Sequence, residues 1–325
     1  MFQKLCNGHF LSESEAYELM QDIASKKTNE HQLSIIIGIY QSRPISIAEL
    51  NGFKTALLEL AIKIDLQKNC IDVCGTGGDR KNTFNISTLS AILLAACGIP
   101  VAKHGSNGAS SVSGSSDILK YFGYKFKSNP AELNTDLEKF NICFIHAPLF
   151  HPSLGLATPI RKSIGISTFF NLLGPLINPA NPAFRYVGTF NSRIARMYHY
   201  IFQASEHKYT IVHSLDGYDE VSLTGESKVY TPVSEELIDA DTFNFSKLQA
   251  KDISAGDTIE SAATIFLNVL QNKATKAQNE VVLANTALAM KCYYSHLSLQ
   301  ECINRSKEAL YSGKAYQLFK NLINQ

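Results

Sequence analysis

The sequence contains no run approaching the roughly 18 consecutive apolar residues of a membrane-spanning helix, and its opening, MFQKLCNGHF, lacks the apolar centre of a secretory signal. A soluble, cytoplasmic protein is the expectation. Charge of one sign is also missing: 30 Lys and Arg face 29 Asp and Glu, a net charge of +1. That balance excludes a general field for nucleic acid or anionic membrane and leaves room only for a local basic pocket. Seven cysteines form an odd set without a C-x-x-C pair, so neither a disulfide framework nor a zinc site is expected. Cys70, Cys97 and Cys143 sit in apolar runs, where reduced thiols behave as small hydrophobes. No Gly-Lys-Ser/Thr closes a phosphate loop, and Arg80 stands where a dinucleotide fingerprint places its third glycine. Internal repeats and low-complexity tracts are absent as well.

What is present is concentrated in Asp72 to Thr88, DVCGTGGDRKNTFNIST. Ile71 to Cys74 reads as a strand, and Gly75, Gly77 and Gly78 then remove Cβ atoms, so the backbone can turn tightly and bring N–H groups up to a ligand. Asp79 follows directly. Asn85-Ile86-Ser87-Thr88 leads into the apolar run Leu89 to Cys97, which predicts a helix capped by Ser87 or Thr88 with its N-terminus facing the same place. Strand, glycine loop and helix N-terminus together make an anion site. The competing reading is a tight turn without a ligand; Asp79, Thr83, Asn85, Ser87 and Thr88 weigh against it, because such a turn has little use for so many donors and acceptors.

At 325 residues the chain is long for one core. Its first part is helical: Ser12 with Glu15, and Ser46 with Glu49, have capping-box spacing, and apolar stripes follow at helical period, including Leu33, Ile36, Ile37 and Tyr40. From Cys70 the texture changes to short strands alternating with helices. The expected fold is therefore α/β: a small N-terminal helical domain, residues 1–66 joined in space by about 165–184, and a larger domain, 67–325, with a mostly parallel central sheet flanked by helices.

Ligands of open α/β sheets bind beyond the carboxyl ends of strands. After the strand Ile99 to Ala102 comes Lys103-His104-Gly105-Ser106-Asn107-Gly108-Ala109-Ser110-Ser111, then Val112-Ser113-Gly114-Ser115-Ser116-Asp117: a charge at Lys103, permissive glycines and small hydroxyls, suited to a phosphate. A strand at Ile142 to Ile145 and a helix bearing Arg161 and Lys162 up to Gly165 follow, then the proline-rich crossover Gly174 to Pro182. The strand Tyr209 to His213 runs into Asp219-Glu220, with Val221 to Leu223 expected as a further strand. Adjacent carboxylates beside a glycine turn hold a hard cation through oxygen, and polyphosphate at the glycine loops needs divalent charge. Helices are expected at Ala262 to Leu270, at Val281 to Tyr294 and after the Ser298–Glu301 capping box.

With these loops assembled, the sequence resembles the anthranilate phosphoribosyltransferases. The shared motifs are D-x-x-G-T-G-G-D with T-F-N-I-S-T, Lys103-His104-Gly105 with Ser110-Ser111 and Ser113-Gly114-Ser115, Pro159-Ile160-Arg161 with Phe170 to Leu176, and Asp219-Glu220. The resemblance implies the fold shared with pyrimidine nucleoside phosphorylases, a homodimer formed through the helical domain, and attack of anthranilate's amine on C1 of phosphoribosyl pyrophosphate (PRPP) with displacement of pyrophosphate. It also implies that Gly75, Gly78, Asp79, Thr83, Asn85, Ile86, Ser87, Thr88, Lys103, Ser111 and Ser115 contact PRPP. Ser87, Asp219 and Glu220 are implied to serve Mg²⁺, two ions per active site, and Gly75, His104, Ser106 and Arg161 to face anthranilate.

One position departs from the pattern. The family's Lys-His-Gly-Asn is here Lys103-His104-Gly105-Ser106, followed by Asn107. A serine lacks the paired donor and acceptor of an amide, so weaker or water-mediated anthranilate binding is expected unless Asn107 substitutes. Two other functions compete: a pyrimidine nucleoside phosphorylase-like enzyme, against which Asp219-Glu220 argues, and a non-catalytic nucleic-acid binder, against which the charge balance argues.

Overall fold

Three of the first four helices begin where a side chain closes the open end of the backbone. In the computed structural model, which describes residues 1–108 and 112–324, Ser12, Asn29 and Ser46 accept the N–H three residues on, while Glu15, Gln32 and Glu49 reach back. The helices Glu13–Ala24, Glu30–Ser42 and Ile47–Leu60 follow, preceded by the short Phe2–Cys6. A Cβ at Gly52 would meet the backbone of Glu13 and Tyr17, so this glycine is what lets two of these helices touch backbone to backbone. Tyr40, Phe53 and Phe169 fill the centre with ring centroids 4.8 to 5.7 Å apart.

This unit comprises Met1–Ile64 and Ala147–Asn181. Its second segment therefore starts earlier than the expected 165. Two bonds hold it there: Ile62 N–H donates to Phe150 O at 2.9 Å, and the His151 ring, fully buried, meets Ile177 O at 2.8 Å. These tie the short helix Ala147–Phe150 to the helical unit directly after the chain leaves its strand.

The second unit, Asp65–His146 and Pro182–Gln325, is built on seven strands: β1 Ile71–Gly75, β2 Val101–Gly105, β3 Ile142–His146, β4 Phe184–Gly188, β5 Lys208–Ser214, β6 Ser227–Tyr230 and β7 Glu235–Ile238. Their order is β3-β2-β1-β4-β5-β6-β7, parallel from β1 to β5 and antiparallel at β6 and β7. β1 has β2 on one side and β4 on the other, so the order reverses there, at the kind of switch point where such sheets bind ligands. The helices Ile86–Ala96 and Lys276–Tyr293 are buried on almost every side, which is why their apolar runs carry no clear stripe.

Two local expectations are corrected. The helix after the glycine loop is capped by position rather than by a hydroxyl: it begins at Ile86, Asn85 is the N-cap residue, and Ser87 and Thr88 lie within the first turn. Asn85's amide is instead paired with Ser113, donating to Ser113 O at 3.2 Å and accepting Ser113 Oγ at 3.0 Å. Val221 to Leu223 is no strand, because Leu223 has φ of +59° and Ser222 is folded onto Ser214; the next strand waits until Ser227. All seven cysteines are free thiols, and no helix among the described residues is long and apolar enough to cross a membrane.

Candidate active site

The glycine loop leaves β1 at the switch point, and β4 beside it ends at the same level. Gly75 and Gly188 are register partners, and Thr76 N–H extends the pairing to Gly188 O at 2.9 Å. Both glycines make room for one residue: a Cβ at Gly75 would strike the Asp219 carboxylate, and one at Gly188 would strike the Asp219 carbonyl. Asp219 Oδ2 accepts the Gly77 N–H at 2.7 Å, so the loop after β5 is bonded to the loop after β1.

Asp79, Asp219 and Glu220 converge here, with one carboxylate oxygen from each lying within 4.8 Å of the others. Asp79 Oδ1 accepts the Lys81 N–H at 3.1 Å, while its Oδ2 is buried with no hydrogen-bond partner among the described residues. Glu220 accepts from Thr83 Oγ1 at 3.3 Å. Burial pushes the Asp219 carboxyl up to about 7, with the charge of Asp79 adding to the shift. Burial, then Asp219 and Asp79, hold Glu220 well above the usual carboxylate range, and burial raises Asp79. Crowded acids in a desolvated place are stabilised in ionised form by a hard cation, and three oxygen donors beside a phosphate loop match what Mg²⁺ takes. The residues therefore fit the metal.

Lys103 lies on β2. It is fully buried, its ammonium donates to Val73 O on β1, and it lies 3.4 Å from Ser87 Oγ. Burial lowers its pKa against the pull of Asp72, Glu220 and Asp219. Thr76 and Thr88 each present a buried hydroxyl oxygen with no partner among the described residues, which is the state of groups that await a ligand or water. Gly78 and Ile86 stand in the loop and at the start of its helix, and Thr83 is held by a β-bridge to Ser254.

The serine loop is closed by Asp117, whose Oδ2 accepts N–H bonds from Gly108 at 2.7 Å and Gly114 at 2.9 Å. Ser106 O receives Ser116 N–H at 3.2 Å and Ser115 Oγ at 3.4 Å, and Gly105 lacks the Cβ that would strike Ser115 Oγ. Ser111 lies outside the described residues. Asn107 Oδ1 accepts from Lys120 Nζ at 3.3 Å. His104, on β2, is buried and its N–H is held by Asp72 Oδ1 at 3.1 Å.

Arg161 belongs to the helical unit, on Thr158–Ile164. Its guanidinium donates to Asn171 Oδ1 at 3.3 Å and lies 5.5 Å over the Phe170 ring, and burial alone lowers its pKa. Among the sequence-predicted residues, those of the glycine loop, Lys103, Asp219 and Glu220 are thus joined by direct bonds or close packing within the α/β unit. Sequence reasoning gave no role to Gly188, Ser214 or Asn285, and took Asp72 only as the first residue of the glycine-loop motif. Asp72 inside an apolar strand and Asn285 inside an apolar helix were the available signals, since a buried polar group needs a stated partner.

A mostly parallel α/β sheet with a glycine loop and an acidic cluster at its switch point suits a phosphorylated ligand held together with a divalent cation. Residues 67–316 match the model of the glycosyl transferase family, a/b domain. Anthranilate phosphoribosyltransferases from Cytophaga hutchinsonii and Christiangramia forsetii are each 46% identical, over 99% of this chain and 99% and 97% of theirs. The structure of anthranilate phosphoribosyltransferase from Thermus thermophilus superposes with a TM-score of 0.90 at 27% identity, covering 99% of this chain and 98% of that one. The enzyme from Saccharomyces cerevisiae in complex with PRPP and Mg gives 0.90 at 25% identity, covering 99% and 96%. The chain belongs to the anthranilate phosphoribosyltransferase family.

Proposed function

We infer that the chain transfers the phosphoribosyl group of PRPP to the amine of anthranilate, giving N-(5-phosphoribosyl)anthranilate and pyrophosphate, in tryptophan biosynthesis. The observation that carries this is the bond between the two loops: the glycine loop and the carboxylate pair, far apart in sequence, are one structure through Asp219 and Gly77.

Asp219 and Glu220, with Asp79 beside them, are the residues that would hold magnesium, two ions per site in our reading, and Ser87 is assigned to serve it from the helix start. Mg²⁺, when bound, neutralises the pyrophosphate as it leaves, which lowers the barrier to breaking the C1–O bond. The chain's own residues do the rest by position and charge. Gly75, Gly78, Thr83, Asn85, Ile86, Thr88, Ser111 and Ser115 are assigned to the phosphates and ribose, where backbone N–H groups and small hydroxyls approach closely. Lys103 contributes a fixed, desolvated positive charge that is worth more there than in water. No strong base is required, because the amine attacks through its own lone pair.

Gly75, His104, Ser106 and Arg161 are assigned to anthranilate. Arg161's guanidinium suits a carboxylate, and its burial raises the value of such a partner. We also read the helical and α/β units as distinct domains and the protein as a cytoplasmic homodimer.

The test is direct. Protein, PRPP, Mg²⁺ and anthranilate are mixed and anthranilate fluorescence is followed; it falls with the wild type and persists with Asp219→Asn. Unchanged fluorescence in the wild type would sink the reading.

A further inference from the structure

Asp219 and Glu220 lie in an irregular turn, where no ladder of sheet hydrogen bonds fixes the backbone. Three mutually repelling carboxylates placed there would relax by turning one of them away. What opposes this comes from the helix Lys276–Tyr293, which passes behind the turn.

Asn285 is almost fully buried on that helix. Its Oδ1 accepts the Val221 N–H at 3.1 Å, and its Nδ2 donates to Val221 O at 2.9 Å. The side chain therefore pairs with the residue after Glu220 as a neighbouring strand would. The remaining capacity of the amide is also used: Nδ2 donates to Val281 O at 2.8 Å, and Oδ1 accepts from Tyr186 Oη at 2.8 Å. With an N–H to satisfy and two carbonyls to reach, only one orientation of the amide fits. Tyr186 projects from β4, two residues before Gly188, which packs on the Asp219 carbonyl. From the other side Ser214 Oγ donates to Glu220 O at 2.6 Å and accepts the Ser222 N–H at 3.2 Å.

We propose that Asn285, oriented by Tyr186, is a positioning residue that pins the backbone at Val221 and so holds the Asp219 and Glu220 carboxylates together before the metal arrives. An amide suits the task because it makes a two-point grip on the backbone without adding a charge to a site already crowded with negative ones. Partners one layer behind metal ligands commonly govern metal affinity in this way. The proposal rests on the reading that Asp219 and Glu220 bind Mg²⁺.

The experiment titrates Mn²⁺ into wild type, Asn285→Ala, Tyr186→Phe and Asp219→Asn in the presence of PRPP, with free Mn²⁺ followed by its electron paramagnetic resonance signal. Steady-state constants are measured alongside. Asn285→Ala is expected to weaken Mn²⁺ binding about tenfold or more, to raise the Mg²⁺ half-saturation in the same proportion, and to leave the anthranilate KM within about twofold of wild type, well short of that metal effect. Tyr186→Phe keeps the grip on Val221 and shifts the metal constant less, in the same direction; it decides the matter if Asn285→Ala does not fold. If Asp219→Asn binds Mn²⁺ like wild type, the metal reading itself fails. If Asp219→Asn loses Mn²⁺ while folded Asn285→Ala and Tyr186→Phe keep wild-type binding, or lose only kcat, the positioning role is overturned.

Discussion

Asp219 Oδ2 accepts the backbone N–H of Gly77 at 2.7 Å, across 142 residues of chain. With the bond from Thr83 Oγ1 to Glu220 at 3.3 Å, this contact makes the loop after β1 and the turn after β5 parts of a single site. It forms because β1 and the strand beside it end in glycine, leaving a gap that the Asp219 backbone and carboxylate occupy.

That gap is testable at Gly188. A methyl group there would collide with the Asp219 carbonyl, which is backbone and has little freedom to move. Gly188→Ala is expected to cost roughly 1–3 kcal/mol of stability, as overpacking does, and to raise the Mg²⁺ half-saturation about tenfold. Gly38→Ala is the control, since nothing lies within 4 Å of the added carbon. Urea unfolding and Mg²⁺-dependent rates check both; a Gly188→Ala protein with wild-type metal dependence refutes the idea that the gap places Asp219.

Ser106 bears on the acceptor. Ser106 lacks the paired donor and acceptor of the amide in the resembled motif, and the neighbouring Asn107 accepts from Lys120. Ser106→Asn is expected to lower the anthranilate KM by about two- to tenfold, the worth of one hydrogen bond, with the PRPP KM unchanged. An unaltered anthranilate KM would remove Ser106 from the acceptor site.

His146 should govern part of the acid response. It closes β3, its Nδ1 is 2.8 Å from Ser116 Oγ, and its ring stacks on Phe126 at 4.6 Å. Burial, with the nearby Lys120, lowers its pKa from 6.5 to about 4. The folded state therefore takes up this proton later than the unfolded state. The contribution is fully present above pH 6.5 and is lost as pH falls toward 4, with a ceiling of about 3 kcal/mol. His146→Gln, compared with wild type by urea unfolding at pH 7, 5.5 and 4.5, is expected to flatten that decline. An equally steep decline in the variant would assign the acid sensitivity elsewhere.

Glu49 separates what neighbours in the chain reveal from what they do not. Three residues after Ser46, it is legible as a capping-box acid, and it is one. It is also fully buried and accepts from Arg43 at 2.5 Å, Tyr40 Oη at 3.1 Å and the Leu11 N–H at 3.1 Å. Burial alone would raise its pKa; Arg43 and the two backbone N–H groups outweigh that and lower it. Capping is a contact over three residues and leaves a spacing to read. The other contacts depend on how two helices and the segment at Leu11 pack together.

The same division runs through the site. The glycine loop, Lys103 and the Asp219–Glu220 pair were legible because each is a short run with unusual composition, and the family resemblance joined them. The helix start was misread by two or three residues because Asn85, Ser87 and Thr88 all have capping chemistry, while Asn85, the N-cap, has its amide paired with Ser113. Val221 to Leu223 looked like a strand from its apolar ends, yet Ser214 and Asn285 hold it as a turn.

By itself the sequence determined the alternation of strands and helices, the capped helices of the N-terminal unit, and the phosphate-type loop after β1. These follow from interactions among residues close along the chain, where spacing and side-chain type suffice. Only the tertiary structure decided that β4 lies against β1, that Gly75 and Gly188 leave room for Asp219, and that an asparagine on a late helix grips the backbone beside Glu220. Strand order and side-chain orientation are set by packing the whole core at once, so no local stretch carries them.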